Sequence, residues 1–540
     1  GREDQVSHRI LRDELRQDRV TARAMPIVFA LVTAFLIHMV LTRLVASQRD
    51  QIAILKAFGY SNAPIVGHFL KFAAAIVIVG SAVGVPLGMF LGAQLASLYR
   101  DFFSMPDLRF MTSAATLLTA PLGGILVAIS ATVAAVTHAV GIAPAEGMRG
   151  EQPAAFHATA LDRFHRFFSS AGRMVLRSVE RRPLRATLSV IAIAASVMIL
   201  VAGRFTLDAL DNLIEIQFRT AQRDDLTISF VEPVANSAGY ELARLPGVRR
   251  VETFRATPAR IRFGHSSRRI ALMGLSRDAE MRRLTDLHGN TTAIPPTGVV
   301  LTGKLARILG IHRGDVASFE TLEGRRTTIE FPVVGIVDEL MGINAYVDRD
   351  LLQRKLDDGG AISGAHVSVD PAFAPQLDRA LKRLPTVGAA AYREIMLRSF
   401  RETIAKNMLI SMTAMIFFAC VIAFGVIYNN ARIALSERGR DLASLRVLGF
   451  THREVGALLL VEHGALTLIA IPIGFGLGRL VALWFVRLFD TEGYRLPATV
   501  SAYTYAFSFV IVAAATIVSG AMVWRRVRKL DLIEVLKTRE

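Results

Sequence analysis

The stretch GVVLTGKL, residues 298–305, has the spacing G-x-x-x-x-G-K with which a turn between a strand and a helix cradles phosphate. It ends on Leu305, where a Ser or Thr hydroxyl would have to hold magnesium, and no second ATPase signature accompanies it. Nucleotide chemistry is not expected from this chain. The 12 His include no H-E-x-x-H, there is no G-x-S-x-G, and no acidic cluster has the spacing of a metal loop. His38, Glu462 and His463 fall in apolar runs, so they are candidates for an intramembrane polar site, on a substrate or ion path, or for pairing inside a helix bundle. Cys420 is the one cysteine, which excludes a disulfide framework and a Cys-based zinc site. The residues point to a non-enzyme, with no catalytic residue, metal or cofactor of its own.

The more informative pattern is a repeat. SQRDQIAILKAFGYS (47–61) follows one apolar run and SERGRDLASLRVLGFT (436–451) follows another. Setting Gly59 against Gly449 pairs Ile52 with Leu442, Leu55 with Leu445, Lys56 with Arg446 and Tyr60 with Phe450. The next apolar runs carry PLGMFLG and PIGFGLG, so Pro86, Gly88 and Gly92 answer Pro472, Gly474 and Gly478. After the last run of each set, Glu146 answers Glu534. Three landmarks in one order make an internal duplication, residues 25–150 and 407–540. Apolar residues three apart among charged ones predict a short amphipathic helix stopped by glycine. The Gly-rich runs predict close helix packing in lipid.

These elements need a membrane. The 540 residues are 52% hydrophobic and 20% charged, with 40 Gly and a mean hydropathy of +0.40. That balance reads as a membrane protein with a large soluble part. Runs able to cross about 30 Å of hydrocarbon lie near residues 25–46, 65–98, 113–138, 186–204, 407–428, 455–487 and 502–524. About seven transmembrane helices are therefore expected. With the two repeated stretches inside, the inner segments hold 21 Lys and Arg, whereas the two short outer loops hold four, Arg100, Arg109, Arg487 and Arg495. This asymmetry puts residues 205–406 outside, and it accounts for much of the +17 net charge without nucleic acid. The first span then enters from outside, so an upstream span is expected, with residues 1–24 as the foot of an extracytoplasmic stalk.

The outer segment has its own echo. DLTISFVEPVANSAGYELARLPGVRRVE and GAHVSVDPAFAPQLDRALKRLPTVGAAA each predict strand, helix, strand, and residues 255–350 between them predict a small β-rich insert. The expected fold is an α-helical membrane protein with one α+β extracytoplasmic domain.

Taken together, a stalk, a span, an REIAILKALG-like helix, a Gly-rich span and a last span ending near P-A-E-x-L-R resemble the FtsX and MacB-like ABC transporter permeases of the mechanotransmission type. Residues 177–196, RSVERRPLRATLSVIAIAAS, are similar to the elbow and first span of a second such unit. The resemblance implies two fused three-helix units, 25–150 and 407–540, a cytoplasmic linker and elbow over 151–185, a first span of the second unit over 186–204 and a MacB-like domain over 205–406. It also implies that the repeated helices are coupling helices for a separate, homodimeric cytoplasmic ATPase, which holds the ATP and magnesium. Carried over by position, the coupling residues are Ile52, Leu55, Lys56 and Gly59, then Asp441, Leu442, Leu445, Arg446 and Gly449. The sequence departs from the pattern at Gln51, which stands where the second unit has Asp441, and at Phe72, which stands where it has Glu462. The resemblance implies a multi-pass protein of the bacterial inner membrane that extracts or exports a lipid, lipoprotein or amphiphile, with membrane lipids and a periplasmic protein as partners. Two other readings stand beside it: an FtsX-like relay that activates an extracytoplasmic enzyme, and a membrane scaffold without an ATPase.

Overall fold

The computed structural model describes residues 19, 26–27, 29–42, 44–46, 48–103, 110–140, 183–437, 444, 447–488, 493 and 495–527. The helices α1 (Phe29–Ala46), α2 (Arg49–Ala57), α3 (Asn62–Phe103) and α4 (Ala114–Val140) come first. Next is α5 (Pro183–Glu215), which continues as a six-residue π-helix, Ile216–Ala221. The β-rich stretch runs β1 (Leu226–Val234), α6 (Ser237–Ala243), β2 (Val248–Phe263), β3 (Ser266–Leu275), β4 (Leu284–Thr285), β5 (Thr291–Thr292), β6 (Val299–Thr302), α7 (Gly303–Leu309), β7 (Val316–Thr321), β8 (Thr328–Val337), β9 (Asn344–Asp348), α8 (Arg349–Leu356), β10 (Ile362–Val369), α9 (Ala374–Leu381) and β11 (Val387–Tyr392). Three long helices close the chain, α10 (Arg393–Glu437), α11 (His452–Leu488) and α12 (Ala502–Val527). The chain divides into two compact units, one helical and drawn from Thr21–Phe205, Asn407–Ala482 and Val500–Glu540, the other β-rich and built mainly from Thr206–Lys406 and Leu483–Thr499.

In the helical unit, six helices are long and apolar enough to cross a membrane among the described residues. The seventh expected span is the apolar end of α10, where the qualifying stretch shortens to Ile416–Arg432. Two cores organise the unit, one per repeat. In the first, Ile37, Leu41 and Val45 of α1 pack with Ile52 of α2, Ile65, Phe69 and Ala73 of α3, and Ala131, Ala135 and Val136 of α4. The second gathers Ile193, Val197 and Leu200 of α5, Ala419 and Ala423 of α10, Ala470 of α11 and Val512 of α12. Helix α1 serves both, because Val32 joins the second core and Met39 packs with Ala192 and Val426. Ala419 and Ala423 of α10 and Ala470 of α11 lie in this core beside Ile427 and Ile471, and small residues of this kind allow close helix packing in lipid.

The β-rich unit confirms the expected echo, with β1-α6-β2 and β10-α9-β11 as the two strand-helix-strand halves. They share one sheet in the order β11-β1-β10-β2, with Leu226 opposite Val367 and Ile228 opposite Ala365. Alternation along β1 and β10 turns Leu226, Ile228, Ala365 and Val367 onto Leu377 and Leu381 of α9 and Leu242 of α6. The 16-residue β2 does double service. Its first half pairs with β10, and its second pairs with β3 on one side and with β7 on the other. The order β2-β3-β9-β6-β8-β7 thereby returns to β2, a closed six-strand ring around Ile261, Leu272, Leu301, Phe319, Phe331 and Val347. Closure removes the exposed edges an insert of this size would otherwise carry.

Candidate functional site

Helix α2 ends as its sequence predicts, and the geometry is specific. Gly59 has φ +90°, the Tyr60 N–H donates to the Leu55 carbonyl at 3.1 Å, and the Gly59 N–H donates to the Lys56 carbonyl at 3.0 Å. Those two bonds form the Schellman motif, which satisfies carbonyls the helix end would leave open and turns the chain sharply. In the second repeat Gly449 has φ +97° and the Leu448 N–H donates to the Ser444 carbonyl at 3.0 Å. No atom lies within 4 Å of a Cβ built on either glycine, so backbone conformation alone selects the residue.

The carried-over coupling residues do not share one face. Ile52 is buried in the first core, whereas Ile54, Leu55, Phe58 and Tyr60 are exposed, Phe58 to 79%. Ile52 is thus a packing residue, and Phe58 and Tyr60, at the glycine turn, supply the apolar surface. Across the repeat, Val447, Leu448 and Phe450 are likewise exposed, Leu448 to 75%. Asp441, Leu442, Leu445 and Arg446 lie outside the described residues. Helix α11 then opens on a capping box: the Glu454 N–H donates to Thr451 Oγ1 at 3.2 Å, and the Thr451 N–H donates to Glu454 Oε2 at 2.8 Å. Ser61, just before α3, and Pro64, in its first turn, occupy the matching positions.

The matched glycines diverge. A Cβ on Gly474 would lie 2.5 Å from Val197 Cβ, and one on Gly478 would lie 2.6 Å from Val201 Cβ, so α11 and α5 cross in close contact there. In the first unit a Cβ on Gly92 would meet the Phe110 ring at 2.6 Å, but nothing lies within 4 Å of one on Gly88. Close helix-helix packing is seen at Gly474 and Gly478, whereas the neighbour of Gly92 is Phe110 in the segment before α4. Pro86 and Pro472 both lie inside their helices, α3 and α11.

His38 Nδ1 lies 3.3 Å from the Ala131 carbonyl inside the first bundle. Glu462 and His463 are buried on α11, where the Thr467 hydroxyl donates to the His463 carbonyl at 2.8 Å. Sequence reasoning missed Asn430 of α10, which is as buried as they are. Asn430 lies just beyond the apolar run read over residues 407–428, so hydropathy did not single it out.

The phosphate-loop resemblance at 298–305 resolves into β6 followed by α7, and a Cβ on Gly303 would collide with the Asp338 carboxylate. An anion already occupies the position a phosphate would need. Asp338 also accepts a hydrogen bond from Arg495 Nη1. Arg495 belongs to the segment between α11 and α12, which is bound to the β-rich unit by its backbone as well: the Gly342 N–H donates to Gly493 O at 2.9 Å and the Arg495 N–H to Leu340 O at 2.8 Å. Asn212 Nδ2 of α5 donates to Thr499 Oγ1 at 2.8 Å in the same segment. Sequence reading had treated Arg495 as one of four outer-loop charges and no more.

Two buried charge groups set the electrostatics of this unit. Arg255, 4% exposed, donates from Nε to Asp358 at 2.7 Å, from Nη1 to Ser363 at 2.8 Å and from Nη2 to Glu323. Asp224 accepts from Thr227 at 2.6 Å and lies 3.4 Å from His366 Nδ1. Burial opposes its ionisation, yet the bonds from His366 and Thr227 and the charges of His366 and Arg282 hold its carboxyl below the usual carboxylate range.

The family model for the FtsX-like permease C-terminal domain matches residues 23–144 and again 413–532, one copy on each repeat. The chain carries two copies of the FtsX-like permease C-terminal domain. An uncharacterized ABC transporter permease of Mycobacterium tuberculosis is 25% identical over 252 residues, which are 46% of this chain and 27% of that relative's own length. Among solved structures, the periplasmic region of MacB from Actinobacillus actinomycetemcomitans covers 34% of this permease and 95% of itself, at 15% identity and a TM-score of 0.25. The extracellular domain of the noncanonic ABC-type transporter YknZ from Gram-positive bacteria covers 30% of this permease and 99% of itself, at 14% identity and a TM-score of 0.22. The chain is an α-helical membrane protein carrying an α+β domain.

Proposed function

We propose that this permease couples ATP hydrolysis on a separate cytoplasmic ATPase dimer to motion of its extracytoplasmic domain, which extracts or exports a hydrophobic substrate. The observation that supports the reading is the pair of positive-φ glycine turns, Gly59 and Gly449, each presenting exposed apolar residues behind a membrane helix. A rigid turn displaying Phe58 and Tyr60, or Leu448 and Phe450, suits insertion into an apolar groove on a partner. Two such turns on one chain suit a partner with two equivalent grooves. ATP and magnesium then belong to the ATPase, and this chain supplies movement rather than chemistry. The direct backbone ties from the α11–α12 segment to the Asp338–Gly342 loop give helix displacement a route into the β-rich unit. Lipid, lipoprotein or an amphiphile as cargo, an inner-membrane location and a periplasmic protein partner belong to the same proposal.

Co-purification tests it. The wild-type permease is expected to retain the ATPase encoded beside it, and Leu55→Asp combined with Leu448→Asp to lose it while keeping its thermal transition. If the wild type retains no ATPase with ATP, with ADP or without nucleotide, the coupling reading fails and the scaffold reading takes its place.

A further inference from the structure

Three arginines fall within seven residues, Arg277, Arg282 and Arg283, and the fold gathers them around one opening. A cavity of about 240 Å³ lies between the segment after β3 and strand β5, lined by these three side chains and by Ser276, Thr291 and Thr292. Its walls are held by backbone bonds. The Arg283 N–H donates to Ala221 O at 2.9 Å, the Arg223 N–H donates to Met281 O at 2.8 Å, and the Asp286 carboxylate ties the β4–β5 turn by accepting the N–H groups of His288 and Asn290 at 2.8 Å each. The shape of the cavity therefore does not depend on its guanidinium groups.

The three charges are unequally neutralised. Arg277 Nε donates to Asp348 Oδ2 at 2.7 Å, and the other oxygen of that carboxylate caps α8 by accepting the Leu351 N–H at 2.9 Å. The Arg282 charge acts on Tyr346, whose hydroxyl donates to Glu339 Oε2 at 2.9 Å, and on the buried Asp224 carboxylate, which is its counter-charge. Burial pushes the Glu339 carboxyl above the usual range, against the pull of Arg282. Arg283 has no carboxylate partner among the described residues. The cavity carries a net positive charge with hydroxyl donors on two walls.

We propose that this cavity binds a phosphate group, with Arg283 as the principal cation and Arg282, Arg277 and the three hydroxyls as further donors. Guanidinium groups meet oxyanions through paired, charge-assisted bonds. Donors converging from two walls suit the tetrahedral oxygens of a phosphate better than the two coplanar oxygens of a carboxylate. The volume leaves room for part of an organic ester beside the phosphate. The inference goes beyond the transport reading and does not depend on it, because binding here requires neither an ATPase nor cargo movement.

Equilibrium dialysis of the full chain in a phosphate-free maltoside detergent tests the site, with radiolabelled orthophosphate as one probe and glycerophosphoglycerol, a phosphodiester headgroup without its acyl chains, as the other. The wild type is expected to bind at least one saturably, and Arg283→Ala to weaken that binding by about tenfold, as loss of a charge-assisted pair does. Arg260→Ala, on a strand away from the cavity, is expected to leave it unchanged. Tighter binding of the phosphodiester assigns the site to a lipid headgroup, and tighter binding of orthophosphate assigns it to a soluble ligand. Should Arg283→Ala lose its thermal transition, Thr291→Val with Thr292→Val carries the comparison. Failure of both probes to bind the wild type overturns the proposal, as does binding that a folded Arg283→Ala protein retains in full.

Discussion

Gly478 and Gly88 both stand in the repeated Gly-rich runs, Gly88 at the position of Gly474, yet their surroundings assign them opposite sensitivities. A Cβ on Gly478 meets Val201, so Gly478→Val drives a branched side chain into a packed crossing, at a cost of about 1–3 kcal/mol. Gly88→Val meets open space and is expected to shift the thermal midpoint in detergent far less. Equal shifts for the two variants would contradict the crossing of α11 on α5. In the β-rich unit, Asp224→Asn removes a buried, hydrogen-bonded charge and is expected to destabilise by about 1–3 kcal/mol at neutral pH. The folded-state carboxyl titrates below its ordinary value of about 4. Its stabilisation is therefore present above that ordinary value and is lost as pH falls through the lower folded one. Denaturant midpoints of wild type and variant should consequently converge in strong acid.

At the scale of elements, the short helix α2, the Gly449 turn and the starts of the spans behind them are fixed by local chemistry. Gly449→Val places a branched residue at φ +97°, which costs about 1–2 kcal/mol and is expected to unseat the turn that presents Leu448 and Phe450. The measurement is ATPase retention, with Gly449→Asn, a residue that tolerates the left-handed region, expected to retain more. Thr451→Ala removes the capping box of α11 at about 1 kcal/mol. Faster amide exchange over the first turn of α11 is the expected readout. These elements were legible because each depends on a few consecutive residues: a glycine after an amphipathic turn, a Thr three before a Glu, an alternating strand. Ile52 was misassigned for the complementary reason. A period of three or four places residues on a common side of a helix, but which side meets the bundle depends on α1, α3 and α4, far away in sequence.

Across the whole molecule, the segment between α11 and α12 is the feature that sequence reading undervalued. Arg495→Ala removes the bond to Asp338 and leaves the two backbone bonds to the Asp338–Gly342 loop, so hydrogen exchange at Gly342 and Arg495 is expected to accelerate while the core strands stay protected. Unchanged exchange at both positions would show that the side chain adds nothing to the tie. The duplication, the membrane class and the two strand-helix-strand halves were determined by the sequence alone. Each is written in hydropathy or period, quantities that sum over neighbouring residues. Tertiary structure alone decided the closure of six strands through the split pairing of β2, the contact of Gly474 and Gly478 with α5, and the gathering of Arg277, Arg282 and Arg283 around one cavity. These depend on pairings between residues far apart in the chain, and such pairings are selected by packing and hydrogen-bond satisfaction across the whole fold rather than by any local preference.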